Sequence, residues 1–188
     1  MCGIFGYVGE EMEIGGAVLQ ALKTLEYRGY DSWGVAVGVN GHIGVEKQPG
    51  KIAGATVSFP ASDIGFGHTR WATHGGVTQA NAHPHLDCTG RLAVIHNGII
   101  ENFRSLRAEL AGRGHGLHSE TDTEVVAHLL EEELADGAAD LARALANVFA
   151  RLDGLSAVIA FDVRSRSLVA AKNVSPLVIG RGPRGNSI

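Results

Sequence analysis

Hydrophobic residues recur along the chain with two different periods, and each period predicts one type of secondary structure. Residues 4–8 form an apolar run between glycines, which is typical of a buried strand. Val35, Val37 and Val39 occupy alternate positions and predict a strand with one apolar face. By the same criteria, we expect further strands near residues 64–68, 92–95, 157–163, 168–171 and 177–179.

Apolar residues three or four positions apart predict four helices. The first spans residues 14–25. The apolar positions of the other three are Phe103, Leu106 and Leu110; Val125, Val126, Leu129 and Leu130; and Leu141, Leu145, Val148 and Leu152. Thr121 is expected to cap the third helix, with Glu124 three residues later.

The order of these elements indicates the fold class. The helices are grouped between runs of strands instead of alternating with them, which favours an α+β fold with antiparallel sheets. The strand at 92–95 is expected to end at His96-Asn97-Gly98, because Asn-Gly favours a turn with positive φ.

The composition is that of a folded domain, and its charge argues against two classes of binding partner. Of the 188 residues, 45% are hydrophobic and 19% charged, which excludes a disordered or fibrous protein. A formal net charge of −4 argues against nucleic acid or an acidic membrane surface as a partner. Cys2 and Cys88 are too few for a disulfide scaffold, and no signal peptide or membrane span is recognisable. We therefore expect a soluble, cytoplasmic protein.

Cys2 is the most specific candidate for a catalytic residue in the sequence. Removal of Met1 would leave a thiol and a free α-amine on one residue, and an amine with a pKa of about 7.7–8.0 is a base suited to neutral pH. The alternative is a small buried cysteine without a catalytic role. Position alone favours that alternative, so the surrounding residues must decide.

Asn97 and Gly98 could support such a nucleophile. A side-chain amide and the adjacent backbone N–H can point two hydrogen-bond donors at a developing oxyanion. An ordinary Asn-Gly hairpin turn is the simpler interpretation.

Another group of residues could recognise the two charges of a free α-amino acid. Arg70 could hold a carboxylate with two parallel hydrogen bonds, and Asp122, expected in the first turn of a helix, could bind an ammonium group. Trp71 offers an apolar wall next to a loop made movable by Gly75 and Gly76. A surface Arg–Trp stack and a carboxylate that stabilises the helix dipole are the alternatives.

The histidines raise the question of a metal-dependent hydrolase. Five of the nine lie close together in the sequence: His68, His74, His83, His85 and His96. No His-Glu-x-x-His motif occurs, and Pro84 separates two of these histidines. We therefore predict structural or loop-ordering histidines and no metal site.

In their order along the chain, these motifs resemble the class II glutamine amidotransferases, which are N-terminal-nucleophile hydrolases. Within that class they are most similar to the glutaminase domains of the glutamine–fructose-6-phosphate aminotransferase family, through RWATHG at 70–75 and YRGYDS at 27–32. The matching stretches cover nearly the whole chain: residues 1–4, 25–32, 68–75, 81–85, 96–102, 120–125 and 175–180.

The resemblance implies a fold and a role for nine residues. The fold would be a four-layer αββα sandwich of two antiparallel sheets. Cys2 would be the nucleophile with its own α-amine as the base, and Arg28 would order that end of the chain. The remaining roles are an oxyanion hole from Asn97 and Gly98, α-carboxylate binding by Arg70, α-amino binding by Asp122, and a closing loop with Trp71, Thr73 and His74.

The reaction implied by the resemblance is hydrolysis of L-glutamine to glutamate and ammonia through a cysteine thioester, without a cofactor. The family's glutaminase domain continues for several tens of residues and is followed by two sugar-isomerase domains. We therefore expect residues 1–188 to be one C-terminally incomplete glutaminase domain, with the fructose-6-phosphate-binding isomerase domains missing from this chain. Trp33 stands where the family has a small residue, so the local packing there is an open question.

Three alternatives remain open from the sequence. The chain could be the glutaminase domain of another class II amidotransferase, a glutamine-binding remnant without catalysis, or a metal-dependent amidohydrolase. The sequence does not indicate an oligomeric state.

Overall fold

Ten strands and four α-helices make up the described part of the protein, for which we use a computed structural model. The structure describes residues 2–188, with the backbone alone for Glu11, so the expected removal of Met1 lies outside the described residues. The elements in chain order are β1 (Gly3–Met12), α1 (Ile14–Thr24), β2 (Ser32–Val39), β3 (His42–Pro49), β4 (Ser62–Arg70), β5 (His85–Leu86), β6 (Leu92–Ile100), α2 (Phe103–Gly112), α3 (Glu124–Ala135), α4 (Leu141–Phe149), β7 (Gly154–Asp162), β8 (Ser167–Lys172), β9 (Gly180–Gly182) and β10 (Gly185–Ser187).

The strands form two sheets in which every pair is antiparallel. The first sheet has six strands in the order β3-β2-β4-β1-β10-β9, and the second has four in the order β5-β6-β7-β8. Strand β1, which follows Cys2, therefore lies in the first sheet, while β6, which carries Asn97 and Gly98, lies in the second.

The layers are helix, sheet, sheet and helix, as the resemblance implies. Helix α1 covers the outer face of the first sheet, where glycines let it approach closely. A Cβ atom at Gly67 would lie 2.7 Å from Leu22 of the helix. The inner faces of the two sheets meet through residues such as Phe66 and Phe161, whose ring centroids are 5.8 Å apart. Helices α2, α3 and α4 pack on the outer face of the second sheet and complete the αββα sandwich.

Trp33 fits this core without disrupting it. Its side chain is 3% exposed and belongs to the apolar cluster under α1, together with Val18, Leu22 and Ile52. The same strand is buried on both faces, not on one as its alternating valines predict, because α1 covers one face and the second sheet the other.

Two sequence-based predictions of local structure that do not concern the candidate site residues are wrong. The segment 177–179 is irregular, and the last strands, β9 and β10, lie in the glycine-rich segment that follows it. Helix α3 begins at Glu124, with Thr123 and not Thr121 at its N-cap position. The Thr121 hydroxyl instead bonds His85 and Ser119, and the Glu124 carboxylate accepts the backbone N–H groups of His118 and Ser119.

Among residues 2–188, none of the helices combines the length and apolar character that crossing a membrane requires.

Candidate active site

Cys2 is fixed through its backbone more firmly than through its side chain. Its carbonyl oxygen accepts hydrogen bonds from Arg28 Nε at 3.0 Å and Asn97 Nδ2 at 3.1 Å. The thiol sulfur accepts the backbone N–H of Trp71 at 3.2 Å. Since Arg28, Asn97 and Trp71 come from three separate segments, the fold itself holds the nucleophile in place.

Burial raises the pKa of the Cys2 thiol, although the Trp71 hydrogen bond and the nearby Arg70 charge act in the opposite direction. The thiol is thus the dominant form at neutral pH. A base must remove its proton before sulfur can attack a carbonyl carbon.

Asn97 and Gly98 lie within β6, and not in a turn that ends it. The register with β7 continues through Asn97↔Ala157 and Gly98↔Ser156 as far as Ile100. The expected turn is therefore wrong, because pairing with β7 outweighs the local preference of Asn-Gly. The expected positive φ is present, since Gly98 has φ +138°.

The strand geometry leaves the Gly98 N–H facing away from β7. The N–H of His96 bonds His83 Nδ1 at 3.4 Å, and the N–H of Ile100 bonds Asp122 Oδ2 at 2.8 Å, so both point away from β7. Because alternate residues of a strand share this direction, Gly98 points its N–H to the same side. A Cβ atom at position 98 would lie 1.9 Å from the Leu155 carbonyl oxygen, so only glycine fits.

Asn97 can serve two partners at once. An amide nitrogen carries two hydrogens, and one of them is used on the Cys2 carbonyl. The second hydrogen and the Gly98 N–H are then available for an oxyanion formed next to the Cys2 sulfur.

Arg70 is buried at the end of β4 and holds the loop that follows it. Its guanidinium donates hydrogen bonds to the carbonyl oxygens of residues 74–76, including Gly76 at 3.1 Å. A carboxylate ligand would therefore have to replace some of these carbonyls or use the remaining N–H groups.

Asp122 lies two residues before α3 and not in its first turn, which corrects the sequence-based placement. Its carboxylate accepts the Ile100 N–H and approaches His74 Nδ1 at 4.0 Å. The carboxylate is 6% exposed, so little water competes for it. Arg70 and Asp122 thus supply opposite charges beneath one loop.

The loop after Arg70 is attached to the YRGYDS segment. The Ala72 N–H donates to Asp31 Oδ2 at 2.9 Å, and the Trp71 ring packs edge-on against Tyr30 at 5.3 Å. Asp31 was given no role from the sequence alone. Its position in the YRGYDS motif was the only signal in the sequence that could have indicated one.

Six of the nine predicted site residues line one cavity of about 450 Å³: Cys2, Arg28, Trp71, Thr73, Asn97 and Gly98. Arg70, His74 and Asp122 are not among its lining residues: His74 belongs to the loop, and Arg70 and Asp122 lie close enough to act electrostatically on the Cys2 thiol. Sequence reasoning missed the other lining residues, which are Ile99, Glu101, Leu155, Ser175 and Pro176. A larger cavity of about 730 Å³ lies elsewhere along β3, and none of the nine predicted residues is among those that line it.

Four of the five clustered histidines are buried: His68, His83, His85 and His96. His68 Nε2 lies 2.9 Å from the His96 carbonyl oxygen and 3.0 Å from Asn97 Oδ1. Burial lowers the pKa of His68 to about 3 and that of His96 to about 4, so both rings are neutral. A neutral His68 that faces two oxygen acceptors carries its proton on Nε2 and orients the Asn97 amide.

The chain is similar to several known proteins. A family described as "Glutamine amidotransferase domain" matches residues 68–188. The glutamine–fructose-6-phosphate aminotransferase [isomerizing] of Streptomyces coelicolor is 55% identical over 188 residues, which cover 97% of this chain and 30% of that protein. The enzyme of the same name from Corynebacterium efficiens is 50% identical over 198 residues, covering 99% and 32%.

A solved structure shares the fold. The glutamine phosphoribosylpyrophosphate amidotransferase of B. subtilis aligns with a TM-score of 0.82 and 24% identity, covering 100% of this chain and 41% of that one. At this identity the likeness is one of fold alone. The chain spans about 30% of the length of the curated relatives it matches.

Proposed function

This chain belongs to the family of glutamine amidotransferase domains, and on that premise we propose that it hydrolyses L-glutamine to glutamate and ammonia. One observation carries the proposal: the Cys2 sulfur, the Asn97 amide and Gly98 line the same cavity. Cys2 directly precedes β1 of the first sheet, and Asn97 and Gly98 lie in β6 of the second, so the packing of the two sheets would bring a nucleophile and two oxyanion donors together.

The first step requires a free α-amine on Cys2, and therefore loss of Met1. The amine takes the thiol proton, and the sulfur attacks the γ-carboxamide carbon of glutamine to form a C–S bond. The negative charge that moves onto the carbonyl oxygen is stabilised by the second Asn97 hydrogen and the Gly98 N–H.

The tetrahedral intermediate collapses when the C–N bond breaks and the α-ammonium group returns its proton to the leaving ammonia. A γ-glutamyl thioester remains on Cys2. Water, activated by the same amine, hydrolyses the thioester, releases glutamate and regenerates the thiol.

Recognition of the free amino acid is assigned to Arg70 and Asp122. Their charges match the α-carboxylate and the α-ammonium group, and both are largely buried, which strengthens each attraction. Because Arg70 also holds the carbonyls of residues 74–76, binding of a carboxylate there is coupled to the position of the loop with Trp71, Thr73 and His74.

For the biological setting, we propose ammonia supply to the synthesis of an amino sugar from fructose 6-phosphate. The support is the name and the 55% identity of the Streptomyces coelicolor relative. Binding of the sugar and acceptance of ammonia would reside in sequence that the relatives have beyond the matched 30%. A reducing, cytoplasmic compartment is the proposed location, since the nucleophile must remain a free thiol.

Loss of the Cys2 sulfur should abolish glutamine hydrolysis. We expect Cys2→Ala to release no ammonia above background, because the other residues cannot form the thioester. The measurement is glutamate and ammonia release by the 188-residue chain, combined with intact mass after incubation with a glutamine-analogue diazoketone. The wild-type mass should show one adduct, mapped to Cys2 by peptide analysis, and absence of Met1.

His42→Gln is the matched control, because this exposed residue of β3 contacts no part of the site and should leave the rate unchanged. Persistent turnover in Cys2→Ala would refute the mechanism. An adduct on Cys88 would refute the assignment of the nucleophile.

A further inference from the structure

We propose that Cys88, His115, His128 and Glu131 form a structural zinc site, separate from the glutaminase site. One ligand atom from each residue, the Cys88 sulfur, the two Nδ1 atoms and a Glu131 carboxylate oxygen, lies within 4.8 Å of all the others. The residues come from the β5–β6 turn, the α2–α3 connection and α3, so the cluster is a tertiary feature.

Five of the six distances within the cluster match the edges of a tetrahedron around a metal ion, and the sixth, between the Cys88 sulfur and the Glu131 carboxylate, is within 4.8 Å. The Cys88 sulfur lies 3.4 Å from each Nδ1 atom, and the two Nδ1 atoms are 3.3 Å apart. Glu131 Oε2 lies 3.3 Å from His115 Nδ1 and 3.5 Å from His128 Nδ1. Zinc bonds of about 2.0–2.3 Å in tetrahedral geometry separate the ligand atoms by roughly 3.3–3.7 Å.

Hydrogen bonding alone explains these contacts poorly. His115 Nδ1 has three polar neighbours at 3.3–3.4 Å, and a ring nitrogen carries at most one proton to share among them. The contact with the Glu131 oxygen is also longer than the usual N–H···O distance of about 2.7–3.2 Å. Several lone pairs directed at one point are the arrangement that a bound cation requires.

The surrounding groups are those that support a metal site. His115 turns Nε2 towards Glu132 Oε1 at 3.3 Å, and Arg113 holds the other oxygen of that carboxylate at 2.9 Å. A carboxylate on the second ring nitrogen commonly orients a metal-bound histidine. The Gly116 backbone hydrogen-bonds the Cys88 sulfur, and the Cys88 N–H bonds Glu131 Oε2 at 3.1 Å.

The donor set selects zinc and a structural role. A thiolate with two imidazoles disfavours magnesium and calcium, which prefer oxygen ligands. One thiolate and one carboxylate also neutralise the two charges of Zn²⁺. Four protein ligands leave no open position for substrate, as in structural sites.

The location of the cluster indicates that the metal would hold two parts of the fold together. His115 begins the segment that leads to Asp122, and His128 and Glu131 occupy adjacent positions on one side of α3. The zinc would tie this segment to the Cys88 turn of the second sheet. A zinc ion here would contradict the sequence-based expectation of no metal site, which did not consider His115 and His128.

The test is metal analysis of the untagged 188-residue chain, purified without chelator. We expect about one equivalent of zinc per chain, and loss of that equivalent in Cys88→Ser. Replacement with Co²⁺ should give a sulfur-to-cobalt charge-transfer band that Cys88→Ser lacks. Cys2→Ser, the matched cysteine control, should retain both the metal and the band.

Misfolding of Cys88→Ser could also cause loss of zinc, so two further measurements test the site without replacing a ligand. Glu132→Gln leaves all four ligands in place and should weaken zinc affinity about 10- to 100-fold. Zinc added to the chelated chain should raise its Tm, since a ligand that binds the folded state stabilises it. His118→Gln, an exposed histidine of the same connection, should change neither quantity. A chain without zinc, cobalt band or Tm increase would overturn the proposal, as would equal metal content in wild type and Cys88→Ser.

Discussion

Asn97 is the residue on which most of the site's geometry depends. Its nitrogen bonds the Cys2 carbonyl at 3.1 Å, and its oxygen faces His68 Nε2 at 3.0 Å. These two contacts prevent the amide from flipping. A flipped amide would turn an oxygen lone pair towards the proposed oxyanion. His68 is thus a positioning residue, and its neutral state follows from burial.

Replacement of His68 should lower kcat and leave KM nearly unchanged. In His68→Gln, we expect kcat for glutamine hydrolysis to fall roughly 10- to 100-fold, because small displacements of a catalytic group are costly. KM should stay close to the wild-type value, since His68 contacts neither Arg70 nor Asp122 through a hydrogen bond. Steady-state kinetics measures both quantities.

A double-mutant cycle separates positioning from a general loss of structure. Asn97→Ala alone should reduce kcat about 10²- to 10³-fold. If His68 acts through Asn97, adding His68→Gln to that variant should cost nothing more. Additive losses would contradict the positioning role.

Short motifs in the sequence were enough to nominate candidate residues. Cys2, Asn97 and Gly98 were proposed from the sequence with the groups they would use, and the structure places them around one cavity. His68 was not given its role, because the contact depends on β4 and β6 facing each other across 29 residues. The ligands proposed for zinc are spread from Cys88 to Glu131 and form no local motif.

At the scale of the elements, β6 shows how tertiary pairing overrides local preference. Asn-Gly favours a turn, yet β6 pairs with β7 from Leu92↔Asp162 to Ile100↔Gly154. The alternation of the strand then sends the N–H groups of residues 96, 98 and 100 to one side. Gly98, the proposed oxyanion donor, thus lies within a paired strand and not in a turn.

Two neighbouring glycines of α1 should respond oppositely to alanine. Gly16 is exposed, with no atom within 4 Å of an added Cβ, so Gly16→Ala should stabilise the fold by roughly 0.5–1 kcal/mol. At Gly15 the Cβ would lie 2.5 Å from the Phe59 ring, and overpacking of this kind costs about 1–3 kcal/mol. Urea unfolding of both variants measures the difference, and equal stabilisation would contradict this packing.

At the scale of the whole molecule, the sequence indicated the class of the fold but not its strand order. Strand β1 pairs with β4 and β10, and the latter contact joins segments at opposite ends of the described chain. Periodicity within a segment contains no information about such partners. Strands β9 and β10 were missed because they are short and glycine-rich, and their alternation of apolar residues is absent.

The protein buries a set of neutral histidines, which should make it unstable in mild acid. The pKa of each lies below its ordinary value because of burial: His68 at about 3, His96 at about 4, and His83 and His85 well below. Nearby Arg70 and Lys47 lower some of them further.

In the unfolded chain these histidines take up protons near pH 6.5, whereas in the folded chain they do not, so acid favours unfolding. We expect the free energy of unfolding to be highest above about pH 6.5 and to fall by up to about 1.4 kcal/mol per pH unit for each histidine as pH drops towards 4. Urea unfolding near pH 7 and pH 5 measures this slope. The slope should be smaller in His68→Gln and unchanged in the exposed control His42→Gln. If the free energy of unfolding did not depend on pH between pH 5 and pH 7, the fold would not hold the histidines neutral.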